Sequence, residues 1–125
     1  VRVMATIALV QTRLSRDRAR ELISVLWETL TNGDTGGPAD ETDGMAFMYR
    51  KSVQITGTFG SGGTVVIEGS DDGTNYETLN DLQDGALSIT AAGLYEVQEH
   101  TRYIRPDVTA GDGTTDLDVT LVGMR

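Results

Sequence analysis

Apolar and polar residues alternate along much of the chain after residue 50. The inward positions of the first alternating run are Val53, Ile55, Gly57 and Phe59, and its outward positions are Gln54, Thr56 and Thr58. This period of two predicts a half-buried β-strand. The glycine-rich run 60–63 and the Asp-Gly turn at 71–75 separate it from two further strands, at 64–68 and 76–79. These turn residues suit hairpins, so the sequence predicts a three-stranded meander over 52–79.

Four more segments in the second half of the chain read as short strands: 86–90, 94–99, 102–108 and 116–124. The inward positions predicted there are Leu87, Ile89, Leu117, Val119, Leu121 and Gly123. Pro106 cannot donate to a ladder, which predicts that its strand lies at a sheet edge or ends there. With the meander this makes about eight strands at intervals of roughly 8–12 residues, a spacing typical of a β-sandwich or barrel. The predicted class is all-β.

Three segments before residue 50 are less regular. The run 22–30 (LISVLWETL) fits either a helical face or a strand, and propensity alone slightly favours a helix. The segment 45–49 (MAFMY) is predicted to be a short strand with Phe47 inward. The segment 32–44 contains four glycines, one proline and four acidic residues, and is predicted to be a solvated, mobile loop. Its carboxylates could also bind calcium, although their spacing does not match an EF-hand loop.

Charge is distributed unevenly along the 125 residues, whose net charge is −9. Residues 1–20 hold five arginines against one acidic residue, a balance of +4, whereas the remainder holds five basic and eighteen acidic residues. This predicts a basic, extended N-terminal arm at 1–18 and an acidic β-sandwich domain at 19–125, with the arm docking on an acidic partner. The predicted partner-binding residues are the arginines Arg2, Arg13, Arg16, Arg18 and Arg20. An acidic body repels phosphate, so nucleic acid is not expected as the partner.

Residues with catalytic or metal-binding chemistry are sparse. There is no cysteine, and His100 is the only histidine, which excludes thiolate and multi-histidine metal sites. Glu96 and Glu99 could pair as in glycoside hydrolases, but chance pairs are expected among 19 acidic residues. The run GSGG at 60–63 lacks the Lys-Ser/Thr of a phosphate loop. We therefore expect no enzyme activity and no cofactor, and no apolar run approaches the ~20 residues of a membrane span.

Three long stretches carry a resemblance to a known family. They are SVQITGTFGSGGTVVIEGSDDGTNYETL, ALSITAAGLYEV and RYIRPDVTAGDGTTDLDVTLVGMR. Together with the opening ATIALVQTRLSRDRAR, they resemble small structural proteins of tailed phages, whose pattern is V-Q-V-x-G-T-F … V-x-L-E-G-S-N-D-G-T-N-W with a later R-Y-I-R-P. Asp72 and Tyr76 depart from that pattern, at positions usually held by Asn and Trp. In that family the stretch that matches 22–30 is richer in β-branched residues, which favours a strand there.

The resemblance implies a jelly-roll-like β-sandwich that decorates or cements the outside of a phage head. It implies the major capsid protein as partner, a dimer or trimer of this chain on the shell, and a location on the virion after assembly in the host cytoplasm. The outward face with Thr56 and Thr58 could pack against a neighbour there. Similar S-x-D-G-x-x-W runs occur in carbohydrate-binding β-sandwiches, and such a module, in a phage or secreted protein, is the alternative function.

Overall fold

A computed structural model describes residues 4–16 and 21–125, with the backbone alone at 14–16, and shows two β-sheets packed face to face. The strands are β1 Thr6–Ile7, β2 Val10–Arg16, β3 Glu21–Leu30, β4 Thr35–Gly36, β5 Arg50–Thr58, β6 Thr64–Ser70, β7 Glu77–Thr78, β8 Ser88–Ile89, β9 Gly93–Val97, β10 Tyr103–Ala110 and β11 Asp116–Met124. One sheet has the order β1-β4-β10-β6-β7, with β8 also paired to β6, and the other has the order β2-β3-β11-β5-β9. The prediction of an all-β sandwich is confirmed.

The core lies between the sheets and is built from the alternate residues that the sequence pattern marked as inward. Leu117, Val119 and Leu121 of β11 are each at most 1% exposed, and Val53 and Ile55 of β5 are equally buried. Phe59, beyond the end of β5, is only partly buried and packs against the edge of the core. The segment 22–30 is a strand, as the resemblance indicated, with Ile23, Val25 and Trp27 facing inward.

The predicted meander is wrong in its first half. β5 pairs with β11 and β9, whereas β6 pairs with β10, β7 and β8 in the opposite sheet. The glycine turn at 60–63 therefore carries the chain from one sheet to the other instead of closing a hairpin. Gly60 and Gly62 have positive φ angles of 71° and 70°, which this arch requires as much as a hairpin would. The second half is correct, since β6 and β7 form an antiparallel pair around the 71–75 turn.

The prediction for 45–49 is also wrong. Met45–Phe47 form a 3-10 helix, with Met45 and Met48 buried and Phe47 56% exposed. Gly44 starts it in the left-handed conformation with φ 89°, and Asp43 accepts a hydrogen bond from the Met45 N–H at 3.0 Å. A turn of this kind buries residues three apart rather than two, so the two methionines face the core instead of the phenylalanine.

The segment 32–44 is packed against the sandwich rather than solvated. It contains β4, and Ala39 forms an isolated bridge to Ile104. Asp34 is 1% exposed, and its carboxylate accepts hydrogen bonds from the Thr31 N–H and the Ala5 N–H. The acidic residues thus satisfy backbone donors that a buried turn would otherwise leave unpaired.

Pro106 neither ends β10 nor lies at an outer edge. β10 continues to Ala110 and has β6 on one side and the two-residue β4 on the other. The N–H groups of Ile104 and Val108 donate to the carbonyls of Ala39 and Asp34, so position 106 faces this same side. There the proline ring packs against Gly36 instead of donating a hydrogen bond. The strand therefore tolerates the missing N–H because β4 is short.

Residues 4–16 of the predicted arm are extended, but they belong to both sheets. β1 pairs in parallel with β4, and β2 pairs antiparallel with β3, with a register shift between Arg13 and Ser15. β2 therefore forms one edge of the second sheet rather than a segment apart from the sandwich. The boundary predicted between 18 and 19 falls within the stretch that the structure does not describe.

Lys51 lies on the inward side of β5, in step with Val53 and Ile55, and is 3% exposed. Its Nζ donates to the Met48 carbonyl at 3.1 Å, and burial lowers its pKa from the usual 10.5. Between the lowered pKa and 10.5 the unfolded chain holds this proton more strongly than the folded one, so stability rises with pH through that window.

We expect the unfolding free energy of the wild type to increase relative to Lys51→Met as pH is raised toward 10.5, by at most about 1.4 kcal/mol per pH unit. Urea unfolding at a series of pH values measures this difference. Lys51→Arg is the control, because it stays charged and should not gain stability in this window. Parallel pH profiles for wild type and Lys51→Met would contradict the expectation.

Candidate binding face

The outer surface of the β2-β3-β11-β5-β9 sheet is the candidate site, because its side chains are not covered. Strand register places these residues in rows across the sheet; one such row is Val10, Leu26, Thr120, Gln54 and Leu94. We call the largely uncharged part of this surface the open face and define it by Val10, Thr12, Leu22, Ser24, Leu26, Ser52, Gln54, Leu94, Glu96, Thr120, Val122 and Met124. The charged residues Arg50 and Asp118 lie on the same outer surface but outside this set. None of these twelve side chains is buried, and Val10, Leu94 and Met124 are 58%, 66% and 43% exposed.

The chemistry of the open face is apolar and neutral. Six of its twelve members are aliphatic or methionine and five are neutral polar residues; Glu96 alone is charged. Glu96 lies at the rim, where it pairs with Arg50 at 2.9 Å. A surface with an apolar and hydroxyl-bearing centre and a charged rim has the composition of a protein–protein interface.

A depression of about 370 Å³ opens at the end of this face where β5, β9 and β11 meet. Its lining residues are Arg50, Lys51, Ser52, Leu94, Tyr95, Glu96, Val122 and Met124. Leu94, Val122 and Met124 give it apolar walls, while the Arg50–Glu96 pair lies at its edge. A pocket of this kind can receive one apolar side chain of a partner, which is how interface anchors are commonly seated.

The outer surface of the other sheet is different, because charges occupy its centre. Arg105 pairs with Glu68 at 2.6 Å, and its guanidinium lies 3.6 Å from the centre of the Tyr76 ring. Asp107 accepts a hydrogen bond from the Thr35 hydroxyl at 3.1 Å. Burying this surface against a partner would require desolvation of these charged groups, which is costly, so the open face is the better candidate.

Of the five arginines predicted to bind a partner, Arg13 is the one whose side chain the structure describes. Arg13 pairs with Glu21 at 2.6 Å, and Arg16 contributes its backbone to β2 opposite Glu21. Arg2, Arg18 and Arg20 lie outside the described residues. The partner-binding role of all five stays a prediction.

The residues with candidate chemistry are engaged in local contacts. Glu99 accepts hydrogen bonds from Asn80, while Glu96 pairs with Arg50, so the two carboxylates serve different partners. Asp112 accepts bonds from Thr114 and from the Ser61 N–H, which lowers its pKa to about 2. Hydrogen bonds from Asn75 and Thr74 likewise lower the pKa of Asp72. Among the described residues, no group of three or more histidine, cysteine or acidic side chains is arranged to hold a metal.

The open face was missed at the sequence level, although a signal for it exists. Leu22, Leu26, Val122 and Met124 occupy outward positions of strands whose inward positions are also apolar. An apolar residue on both sides of an antiparallel strand indicates a sheet covered on both faces. In the described part of the chain, Leu22, Leu26, Val122 and Met124 each keep part of their surface exposed.

Comparison with known proteins adds no family to this fold. No family model matches the chain, and no curated protein matches it. In the part of the chain that the structure describes, no helix has the length and apolar character needed to cross a bilayer. The class that the structure defines is a two-sheet β-sandwich protein with one apolar outer surface.

Proposed function

We propose that this chain is a capsid decoration protein that binds the outer surface of a tailed-phage head through its open face. The single observation that carries the proposal is this apolar face, whose side chains remain exposed in the described part of the chain. The resemblance of three long stretches to small phage structural proteins supports the same function. The proposed partner is the major capsid protein, and the proposed location is the virion exterior after assembly in the host cytoplasm.

The mechanism requires no reaction by the chain. Stable protein contacts bury about 1,200 Å² or more in total, roughly 600 Å² on each partner. A five-stranded sheet face offers a continuous surface for such a contact, with apolar side chains interspersed among hydroxyls able to form hydrogen bonds. Bridging two capsid subunits in this way would add buried area across their boundary and so oppose their separation.

The acidic character of the chain is consistent with an exterior position. Its net charge is −9, and packaged nucleic acid inside a head would repel it. The open face itself is almost free of charge, so the repulsive surfaces would remain in solvent when the face is covered.

The carbohydrate-binding alternative has less support from the aromatic residues, all of which lie in the described part of the chain. Such modules commonly stack sugars on exposed rings. Trp27 is 1% exposed, and Arg105 covers one side of the Tyr76 ring. Phe47 and Tyr49 are well exposed, at 56% and 71%, but Phe47 is the last residue of the 3-10 helix and Tyr49 follows it, so neither lies on a sheet face.

Two measurements test the proposal. The first is detection of this chain in purified virions by mass spectrometry and its location in a density map; we expect it on the outer surface of the shell. The second is co-sedimentation of the purified chain with empty heads prepared without it. Absence of the chain from virions, or its location inside the shell, would overturn the proposal.

A single charged substitution in the centre of the open face should separate binding from folding. Gln54 is exposed, so Gln54→Arg should leave the melting temperature nearly unchanged while weakening binding to heads by at least about tenfold, because a charge would be buried without a partner. Thr78→Arg is the matched control, since Thr78 is an exposed strand residue of the other sheet. Equal binding by both variants would place the contact elsewhere. Deletion of residues 1–18 is a poorer test, because it would also remove β1 and β2.

A further inference from the structure

Two strands form the outer edges of the sheet that bears the open face: β2 at one end and β9 at the other. The Glu21 N–H donates to the Arg125 carbonyl, so alternate residues of β3 direct their backbone groups toward β11. The backbone groups of Ser24 and Leu26 then point toward β2, where the register partners of these two residues are Thr12 and Val10. By the alternation of an antiparallel ladder, Gln11 and Arg13 turn their N–H and C=O groups to the open edge.

The same reasoning locates the open backbone groups of β9. The Gln98 N–H donates to the Asn80 carbonyl, away from β5. Leu94 and Glu96 have the same parity as Gln98, so their N–H groups also point away from β5. The bridge between Asp81 and Val97 covers only the end of this edge. Unpaired edges of this kind are the usual sites at which another strand adds to a sheet.

The β2 edge is basic. Glu21 is a single carboxylate between two guanidinium groups, 2.6 Å from Arg13 and 3.1 Å from Arg125. Two positive charges therefore meet one negative charge. We call this group, Arg13, Glu21 and Arg125, the basic edge.

The β9 edge is acidic. Glu96 lies on β9, Glu99 accepts a hydrogen bond from the Asn80 N–H, and Asp81 is bridged to Val97. Asp84 lies in the same turn, because its N–H donates to the Asp81 carbonyl. Arg50 is paired with Glu96, which leaves an excess of negative charge. We call Asp81, Asp84, Glu96 and Glu99 the acidic edge.

We propose that copies of this chain associate head to tail, with the basic edge of one copy against the acidic edge of the next. A two-fold contact between two β2 strands would bring like charges together, and so would a contact between two β9 strands. The heterologous contact instead brings opposite charges together and satisfies open backbone groups on both strands.

Four successive antiparallel pairings separate β2 from β9, so the two strands run in the same direction and would meet as a parallel pair. The oligomer suggested by the resemblance would then be a ring or a row rather than a two-fold dimer.

Sedimentation velocity of the chain alone, over a wide range of concentration, tests this contact. We expect the average mass to rise with concentration in the wild type. Arg13→Glu on the basic edge and Gln83→Lys with Asp84→Asn on the acidic edge should each weaken association by roughly tenfold or more. Asparagine suits position 84, where φ is 62°.

Two controls make the result decisive. Glu77→Lys changes the net charge as much as the acidic-edge variant does, but at an exposed position of the other sheet, and should leave association unchanged. Gln11→Pro removes an open-edge N–H without changing charge and should weaken association while the circular dichroism spectrum stays that of the wild type. A wild type that stays monomeric, or an equal effect of Glu77→Lys, would overturn the proposal. No capsid enters these measurements, so they are independent of the function proposed above.

Discussion

Replacement of Trp27 by alanine is expected to lower the unfolding free energy by about 3–5 kcal/mol, which is a large part of the stability of a domain of this size. Trp27 is 1% exposed and is the largest side chain in the core. Its indole Nε1–H donates to the Gly37 carbonyl at 2.8 Å, which ties the core of one sheet to the β4 segment of the other. Truncation would leave a cavity and an unpaired carbonyl together.

Urea unfolding followed by circular dichroism measures this effect, since Trp27 is the only tryptophan and its fluorescence is lost in the variant. Trp27→Phe is the companion variant: it keeps an aromatic ring but removes the hydrogen bond, and should cost less. If Trp27→Ala unfolds at the same urea concentration as the wild type, then the indole does not pack between the sheets as described here.

Gly36→Ala should also be strongly destabilising, by about 1–3 kcal/mol or more. A Cβ atom at position 36 would lie 2.6 Å from Cδ of Pro106 and 2.8 Å from Cδ1 of Trp27. Both are rigid rings in the core, so neither can turn aside as a long aliphatic side chain could. The backbone of β4 would have to move, and β4 would separate from β10.

The neighbouring glycine supplies the control. At Gly37 an added Cβ would come no closer than 3.4 Å, to the Ile7 carbonyl oxygen, which is an ordinary contact. Gly37→Ala should therefore change stability by no more than about 0.5 kcal/mol. Melting curves of the two variants side by side give the comparison, and equal midpoints would contradict the close packing of Gly36.

The sequence predicted the strands better than it predicted their partners. Alternation identified the inward residues of β11 and β5, because burial on one side of a strand leaves a period of two. It could not show that β5 and β6 lie in different sheets. The glycines at 60–63 permit a hairpin or an arch alike, and the choice depends on β11, which is distant in sequence and pairs with β5 instead.

The burial of Lys51 could have been predicted from the same alternation. Lys51 shares the parity of Val53 and Ile55, so a strict reading of RKSVQIT places it in the core. The residue type predicts an exposed side chain instead, since lysine is rarely buried. At 45–49 the failure has another cause: all five residues of the run are hydrophobic, so it has no period. The conformation is set by Gly44 and Asp43, which lie outside the run.

The apolar outer side of β3 and β11 is another feature that the sequence pattern could have predicted. Leu22 and Leu26 made 22–30 resemble a helix because a strand covered on both faces loses its alternation. The ambiguity of the pattern was thus itself a consequence of the open face. Register across the sheet was needed to show that these residues lie in the same rows as Leu94 and Val10.

The position of β11 has a consequence for synthesis of the protein. β11 is inserted between β3 and β5, and it pairs with both along most of its length. It is also the last of the described strands to leave the ribosome. Until it emerges, β3 and β5 have no common neighbour, and Ile23, Val25 and Ile55 cannot be enclosed. Completion of the sheet must then wait until β11 has emerged, and such pairing of strands distant in sequence is intrinsically slow. The open face, which spans β3, β11 and β5, is assembled only when β11 joins the sheet, so a nascent chain that lacks β11 has no such surface ready for assembly.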